Sequence, residues 1–197
     1  MQMNFFQSIV AMQVAGDWTI TAPPLSLYLQ RRRINLEIAR HFCVEVRYRV
    51  GEKEYYAIGF KNDSGGYELR NPYFKGGCSP KDITTINNGH YNVCVFEGFF
   101  DFLSYKTYYN RLHTIRRENG HPETNYVILN SLAFFEKARG FMETHQRIFL
   151  FLDRDTAGQN CSACARALND KYVDDSNLYN GFQDLNMWLV NNKEELL

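Results

Sequence analysis

The second half of the chain alternates short apolar runs with longer mixed ones. "NVCVF" (92–96), "YVILN" (126–130), "RIFLFL" (147–152) and "KYVDDS" (171–176) are each followed by a stretch of helical length. Runs so poor in polar positions fit strands covered on both faces. Strand and helix in alternation, four times over, predict a parallel sheet flanked by helices. Ser131 stands where an N-cap for the second helix is expected. The first half has a different grammar. From Pro24, "LSLYLQRRRINLEIARHF" predicts a short helix, a turn and a second helix, with the proline in the first turn. "CVEVRYRV" and "EYYAIGF" flank Gly51 as a hairpin, "NDSGG" is a turn, and "YELR" is a short strand. Residues 1–22 read as a loose lead-in and 71–84 as loop. The expectation is α/β: a smaller α+β unit over 1–90, then a four-stranded parallel sheet with helices over 91–197.

The net charge is zero, so no global field points to nucleic acid or membrane. Its distribution is uneven, with eleven basic residues against eight acidic over 1–92 and eleven against fourteen over 93–197. That leans toward an anion-receiving surface beside a cation-binding one. No signal-peptide build and no membrane-length apolar run occurs, and five cysteines form an odd set. A reducing, cytoplasmic setting with free thiols is expected. Cys161-x-x-Cys164 is half of a zinc site, but no second pair stands at ligand spacing, so no zinc is expected.

Acids collect where the apolar runs stop. Glu97 follows "VCVF", and Asp153 and Asp155 follow "IFLFL" with Arg154 between them. Asp155 or Thr156 could merely cap the next helix and leave Asp153 solvated. Against this, Asp101 lies one helical turn beyond Glu97 and on its side. If the first and third strands are neighbours, four carboxylates converge beyond the carboxyl ends of the strands, where open sheets place function. Like charges so placed repel one another and suit Mg²⁺ or Mn²⁺, hard cations that prefer oxygen. Gly98 would let a metal or phosphate approach the backbone. Two other acid-bearing folds fit worse: haloacid dehalogenase-type phosphotransferases need a hydroxyl residue where Ala157 stands, and receiver domains need a late-strand lysine.

In order and on these strand ends, "VFEGFFDFLS" followed by "FLDRDTAG" resembles the Toprim domain over about 91–191. That resemblance implies an acidic triad of Glu97, Asp153 and Asp155, with Asp101 in support and Asp184 as a looser counterpart. "IGFKNDSGGYELRNPYFKG…SPKDIT" is similar to the segment preceding Toprim in DnaG-like bacterial primases, in the phrasing of those carried on Bacteroidetes mobile elements. Their zinc finger is not seen in this sequence, which is read as a fragment or a shortened homologue. The resemblance implies Mg²⁺- or Mn²⁺-dependent primer synthesis on single-stranded DNA from nucleoside triphosphates, with a helicase or other replication protein as partner and no membrane. Lys61, Arg70, Lys75, Lys81 and Arg154 are the candidate phosphate contacts. Arg31, Arg32 and Arg33 could track a strand or favour a helix end, and Tyr67, Tyr73 and Phe74 could stack bases or pack. A Toprim nuclease and a non-catalytic DNA-binding adaptor are the alternatives; the basic first half favours the primase.

Overall fold

The computed structural model describes residues 12–116 and 124–192, so the lead-in before residue 12 lies outside the described residues. Helix α1 (Pro23–Arg31) opens on prolines, whose missing N–H is not needed in a first turn, and buries Leu25 and Leu29. Helix α2 (Leu36–Phe42) is capped by the Asn35 side chain, which accepts from the N–H groups of Glu37 and Ile38. The strands of this half form an antiparallel sheet in the order β1 (Gln13–Trp18), β2 (Val44–Val50), β3 (Lys53–Lys61), β4 (Tyr67–Asn71) and β5 (Phe74–Cys78). Two of them correct the sequence reading. Strand β1 lies in what was read as lead-in; it is an edge strand with mostly exposed side chains, so it carries no apolar alternation. Strand β5 lies in what was read as loop, concealed by Gly76 and Gly77. A Cβ at Gly77 would stand 2.5 Å from the Tyr67 carbonyl oxygen, so the close backbone approach is what excludes a side chain there.

The second sheet runs β10 (Tyr172–Asp174), β9 (Arg147–Phe151), β7 (Asn92–Phe96), β8 (Asn125–Ile128), β6 (Thr84–Ile86). Its first four members are parallel, as expected, and β6 adds a fifth, antiparallel edge from a segment preceding residue 91. Helices α3 (Phe99–Arg116), α4 (Phe135–Met142), α5 (Thr156–Leu168) and α6 (Leu185–Asn191) follow the four parallel strands in turn. The Ser131 hydroxyl caps the 3₁₀ turn that leads into α4, accepting from the Ala133 N–H. Among the described residues no helix is long and apolar enough to cross a membrane.

A single apolar cluster joins the two sheets. Ile20, Leu25, Leu29, Ile58 and Phe60 from the first half pack with Phe96, Phe99, Phe102, Tyr105 and Phe151 from the second. Phe60 stacks on Phe99 with centroids 5.2 Å apart. Rings such as these bury large apolar areas, each worth about 1.5–3 kcal/mol relative to exposure, and they fix β4 and β5 over the carboxyl edge of the second sheet. At the opposite end of that sheet, Asn125 is a buried hub. Its Oδ1 accepts from the N–H groups of Asn88 and His90, and its Nδ2 donates to the His90 carbonyl and meets His145 Nε2. Replacing it strands several polar groups at once, so Asn125→Ala is expected to cost about 3 kcal/mol, read from urea unfolding.

Candidate active-site cleft

Strand register levels the functional edge. Phe96 pairs with Ile128 on one side and with Phe151 on the other, so the residues after them emerge together. The second sheet and its helices contribute Glu97, Gly98, Asp101, Asn130, Asp153, Asp184 and Asn186 to one cleft, while Arg32, Arg70 and Lys75, with one acid, Glu68, line it from the first half. The strand adjacency on which the convergence of acids depended is therefore present.

The carboxylates are coupled to one another. The Asp153 N–H donates to Glu97 Oε2 at 3.4 Å. Burial raises the Asp153 carboxyl to a pKa of about 7, helped by the charges of Glu97 and Asp184 and opposed by Lys75. Glu97 is raised too, by burial first and then by Asp155 and Asp184, with the Asp153 N–H and Lys75 opposing. Asp101 is buried, and burial together with Asp184 and Asp153 holds it well above the usual carboxylate range. It accepts from the Asn186 N–H at 3.1 Å, and Asn186 in turn donates to the Arg32 carbonyl and the Ser104 hydroxyl.

Two glycines of the motifs play different parts. A Cβ at Gly158 would fall 2.0 Å from the Asp153 carbonyl oxygen, so glycine is what lets α5 start hard against the end of β9. A Cβ at Gly98 would meet only Asp101 Oδ2, at an ordinary 3.5 Å; the protein leaves room there. Asp155 is the N-cap of α5, accepting from the Gly158 N–H at 2.9 Å, and is exposed. Of the two acids after β9, Asp155 caps the helix while Asp153 lines the cleft, with the Asp155 charge still felt by Glu97.

Among the basic candidates, Arg70 and Lys75 line the cleft. Lys81 is not a lining residue but pairs at 2.8 Å with Glu68, which is, and so offsets that acid; Lys61 lies exposed near the Tyr67 ring, and Arg154 is held by Ser176 and Asn180. Sequence reasoning gave Arg32 only a generic role and passed over Asn130 and Asn186. The signal for Asn130 was available, since it stands just past the end of a parallel strand, as Glu97 and Asp153 do. Asn130 adopts φ 62° and donates to the Asp82 carbonyl. Among the described residues, the buried side-chain polar atoms without a hydrogen-bond partner are Arg32 Nε, Asn130 Oδ1 and Asn186 Oδ1, all on residues lining this cleft. Buried polar groups are normally paired, and a ligand site is where exceptions are retained.

Among the described residues no three His, Cys, Asp or Glu side chains are grouped so as to hold an ion by themselves. Mg²⁺ does not require such a cage: it keeps several waters and is bound through one or two carboxylates plus substrate phosphates. Mutually raised carboxylates opposite cations fit that mode, because a divalent ion relieves the repulsion that burial and proximity create.

Residues 94–189 match the family described as Toprim-like, and residues 17–80 match one described as a domain of unknown function (DUF8464). No curated protein sequence matches the chain. In fold, the chain is similar to the crystal structure of the primase fragment of the bacteriophage T7 primase-helicase protein, with TM-score 0.53 and 16% identity over 88% of this chain and 74% of that one. It also matches a chain in the structure of the bacteriophage T7 lagging-strand DNA polymerase interacting with primase domains bound to an RNA/DNA hybrid and dTTP, at TM-score 0.48 and 16% identity, over 74% of this chain and 76% of that one. The match to the Toprim-like family thus covers the second sheet and its helices, and the fold as a whole resembles that of the T7 primase fragment.

Proposed function

We propose that this Toprim-like chain is a primase: a divalent-metal-dependent nucleotidyltransferase that makes short primers on single-stranded DNA from nucleoside triphosphates. The observation that carries this reading is the facing of Glu97, Asp101, Asp153 and Asp184 by Arg32, Arg70 and Lys75 across one cleft. Acids alone would serve hydrolysis equally well. Cations opposite them suit a polyphosphate that must be bound, oriented and released as pyrophosphate.

In the proposed reaction a 3′-hydroxyl loses its proton and bonds to the α-phosphorus, while the bond from that phosphorus to the bridging oxygen breaks. Glu97, at the end of β7, takes the hydroxyl proton or holds a cation beside it; its raised proton affinity suits either role. Asp153 would hold Mg²⁺ or Mn²⁺ with Glu97, and Asp101 and Asp184 would add negative charge behind them. The ion, when bound, acidifies the hydroxyl and offsets charge on the leaving oxygen. Lys75 and Arg70 orient the triphosphate. Lys61, Lys81, Arg154 and Asp155 keep outer roles at most in this reading, on template or on local structure. A replication helicase is the proposed partner by analogy with the T7 protein.

The experiment supplies single-stranded template, nucleoside triphosphates and Mn²⁺ and resolves short products. Products that require triphosphates are expected. Template degradation without triphosphates would replace the primase with a nuclease, and neither activity would leave a DNA-binding adaptor.

A further inference from the structure

A second surface lies beside the cleft and has no part in the chemistry above. Pro24, Leu27, Tyr28, Arg31, Tyr55, Tyr56, Pro72 and Tyr73 line a groove between α1, β3 and the β4–β5 turn. Three of its members are large apolar or aromatic side chains left substantially exposed: Tyr73 at 96%, Leu27 at 46% and Tyr56 at 40%. Scattered singly such residues need no explanation, but gathered in one groove they mark an interaction site.

The turn that carries Tyr73 is held in place. Asn71 Nδ2 donates to the Tyr56 carbonyl, and Asn71 Oδ1 accepts from the Tyr73 N–H, each at 2.9 Å, so the tight turn carrying Tyr73 is tied to β3. A turn fixed in this way loses little backbone freedom when a flat partner stacks on the ring it carries.

The groove and the cleft are contiguous. Arg31 lines the groove while its neighbour Arg32 lines the cleft, and Asn71 lines the groove while Arg70 lines the cleft. The Tyr28 ring lies 5.6 Å from that of Phe100, which lines the cleft and has the guanidinium groups of Arg32 and Arg70 over it at 5.7 and 4.8 Å. The acid of the groove, Glu54, stands 3.8 Å from Arg49, leaving Arg31 to set the sign of the charge. Aromatic faces with a cation at the join to a phosphate-binding cleft match single-stranded nucleic acid: bases stack and the backbone follows the arginines.

We infer that this groove is a stacking track for single-stranded nucleic acid, delivering the template to the cleft across Arg31 and Arg32. The inference rests on the primase reading for what the strand is, and on the groove itself for where it runs. Of the aromatics that the sequence offered for stacking, Tyr73 belongs to the track, whereas Tyr67 is buried and Phe74 packs against Tyr48.

The test measures fluorescence anisotropy of a labelled thymidine oligonucleotide of about 20 nucleotides over a range of salt concentrations. Tyr56→Ala with Tyr73→Ala is expected to weaken binding about tenfold or more at every salt concentration and leave the salt slope unchanged, because stacking releases no counterions. Arg31→Ala is expected to flatten the slope. Tyr73→Phe should bind as the natural chain does. Wild-type affinity in the double alanine variant overturns the track, and so does a natural chain that binds no oligonucleotide, which would leave the groove to a protein. The two readings fail separately. Binding lost in the double variant, with no triphosphate-dependent product from the natural chain, keeps the track and removes the primase. Triphosphate-dependent products alongside unaffected binding in the double variant keep the primase and remove the track.

Discussion

Glu97→Gln is expected to lower triphosphate-dependent product formation by about a hundredfold or more, the scale of losing a positioned base or ion ligand. The substitution keeps size and one carbonyl oxygen to accept from the Asp153 N–H, so the end of β7 should hold its shape. What it removes is the charge and the ability to take a proton. Because Glu97 is a carboxylate raised by burial and by Asp155 and Asp184, neutralising it relieves repulsion among the acids. Folding should therefore be unimpaired, and the loss will belong to the chemistry. Activity retained within a few-fold would remove Glu97 from the reaction.

Asp153→Asn is expected to weaken Mn²⁺ binding strongly in calorimetry and, without metal, to make the protein more stable at pH 8. The sign follows from linkage. The Asp153 carboxyl has its ordinary pKa of 3.8 when unfolded and about 7 when folded, so between those values the folded state binds more protons. Its share of stability is intact below about 3.8 and is lost as pH rises toward about 7. After screening at a partly exposed site the loss is on the order of 2 kcal/mol. Glu97 and Asp101 shift in the same direction. Asp82, lowered chiefly by its hydrogen bond from Lys137 and by that from Ser64, acts oppositely and only below its ordinary value. The melting temperature of the metal-free protein should thus fall as pH rises from 4 to 8, less so in Asp153→Asn. Added Mn²⁺ should stabilise the natural chain more at pH 8 than at pH 5. An unchanged slope in the variant would contradict the placement of Asp153 among interacting acids.

Much of the second half was legible because its cues are local. An apolar run ending in an acid marks both a parallel strand and its carboxyl end, and the meeting of Glu97 and Asp153 at one edge was readable on that ground. Strands β1 and β5 were not, because one is an exposed edge and the other is held by glycine-mediated backbone approach rather than by side-chain alternation. The cleft's second wall was harder still. Which lysine or arginine reaches the acids depends on how the meander packs over the second sheet, through contacts such as Phe60 on Phe99. Sequence gives Lys61, Arg70, Lys75 and Lys81 nearly equal standing; packing brings Arg70 and Lys75 to the cleft and ties Lys81 to Glu68. The roles of Asp155 and Asp184 were likewise distinguishable only in three dimensions. Each caps a helix, yet only Asp184 lines the cleft with the other acids.

The central claim is that the acids and the cations facing them form one site for a metal-bound nucleotide. A crystal soaked with Mn²⁺ and a nucleoside triphosphate tests it most directly. Anomalous density is expected beside Glu97 and Asp153, with the triphosphate on the side of Lys75 and Arg70. Manganese bound away from both carboxylates, or a triphosphate bound outside the cleft with Lys75 and Arg70 uninvolved, would contradict it.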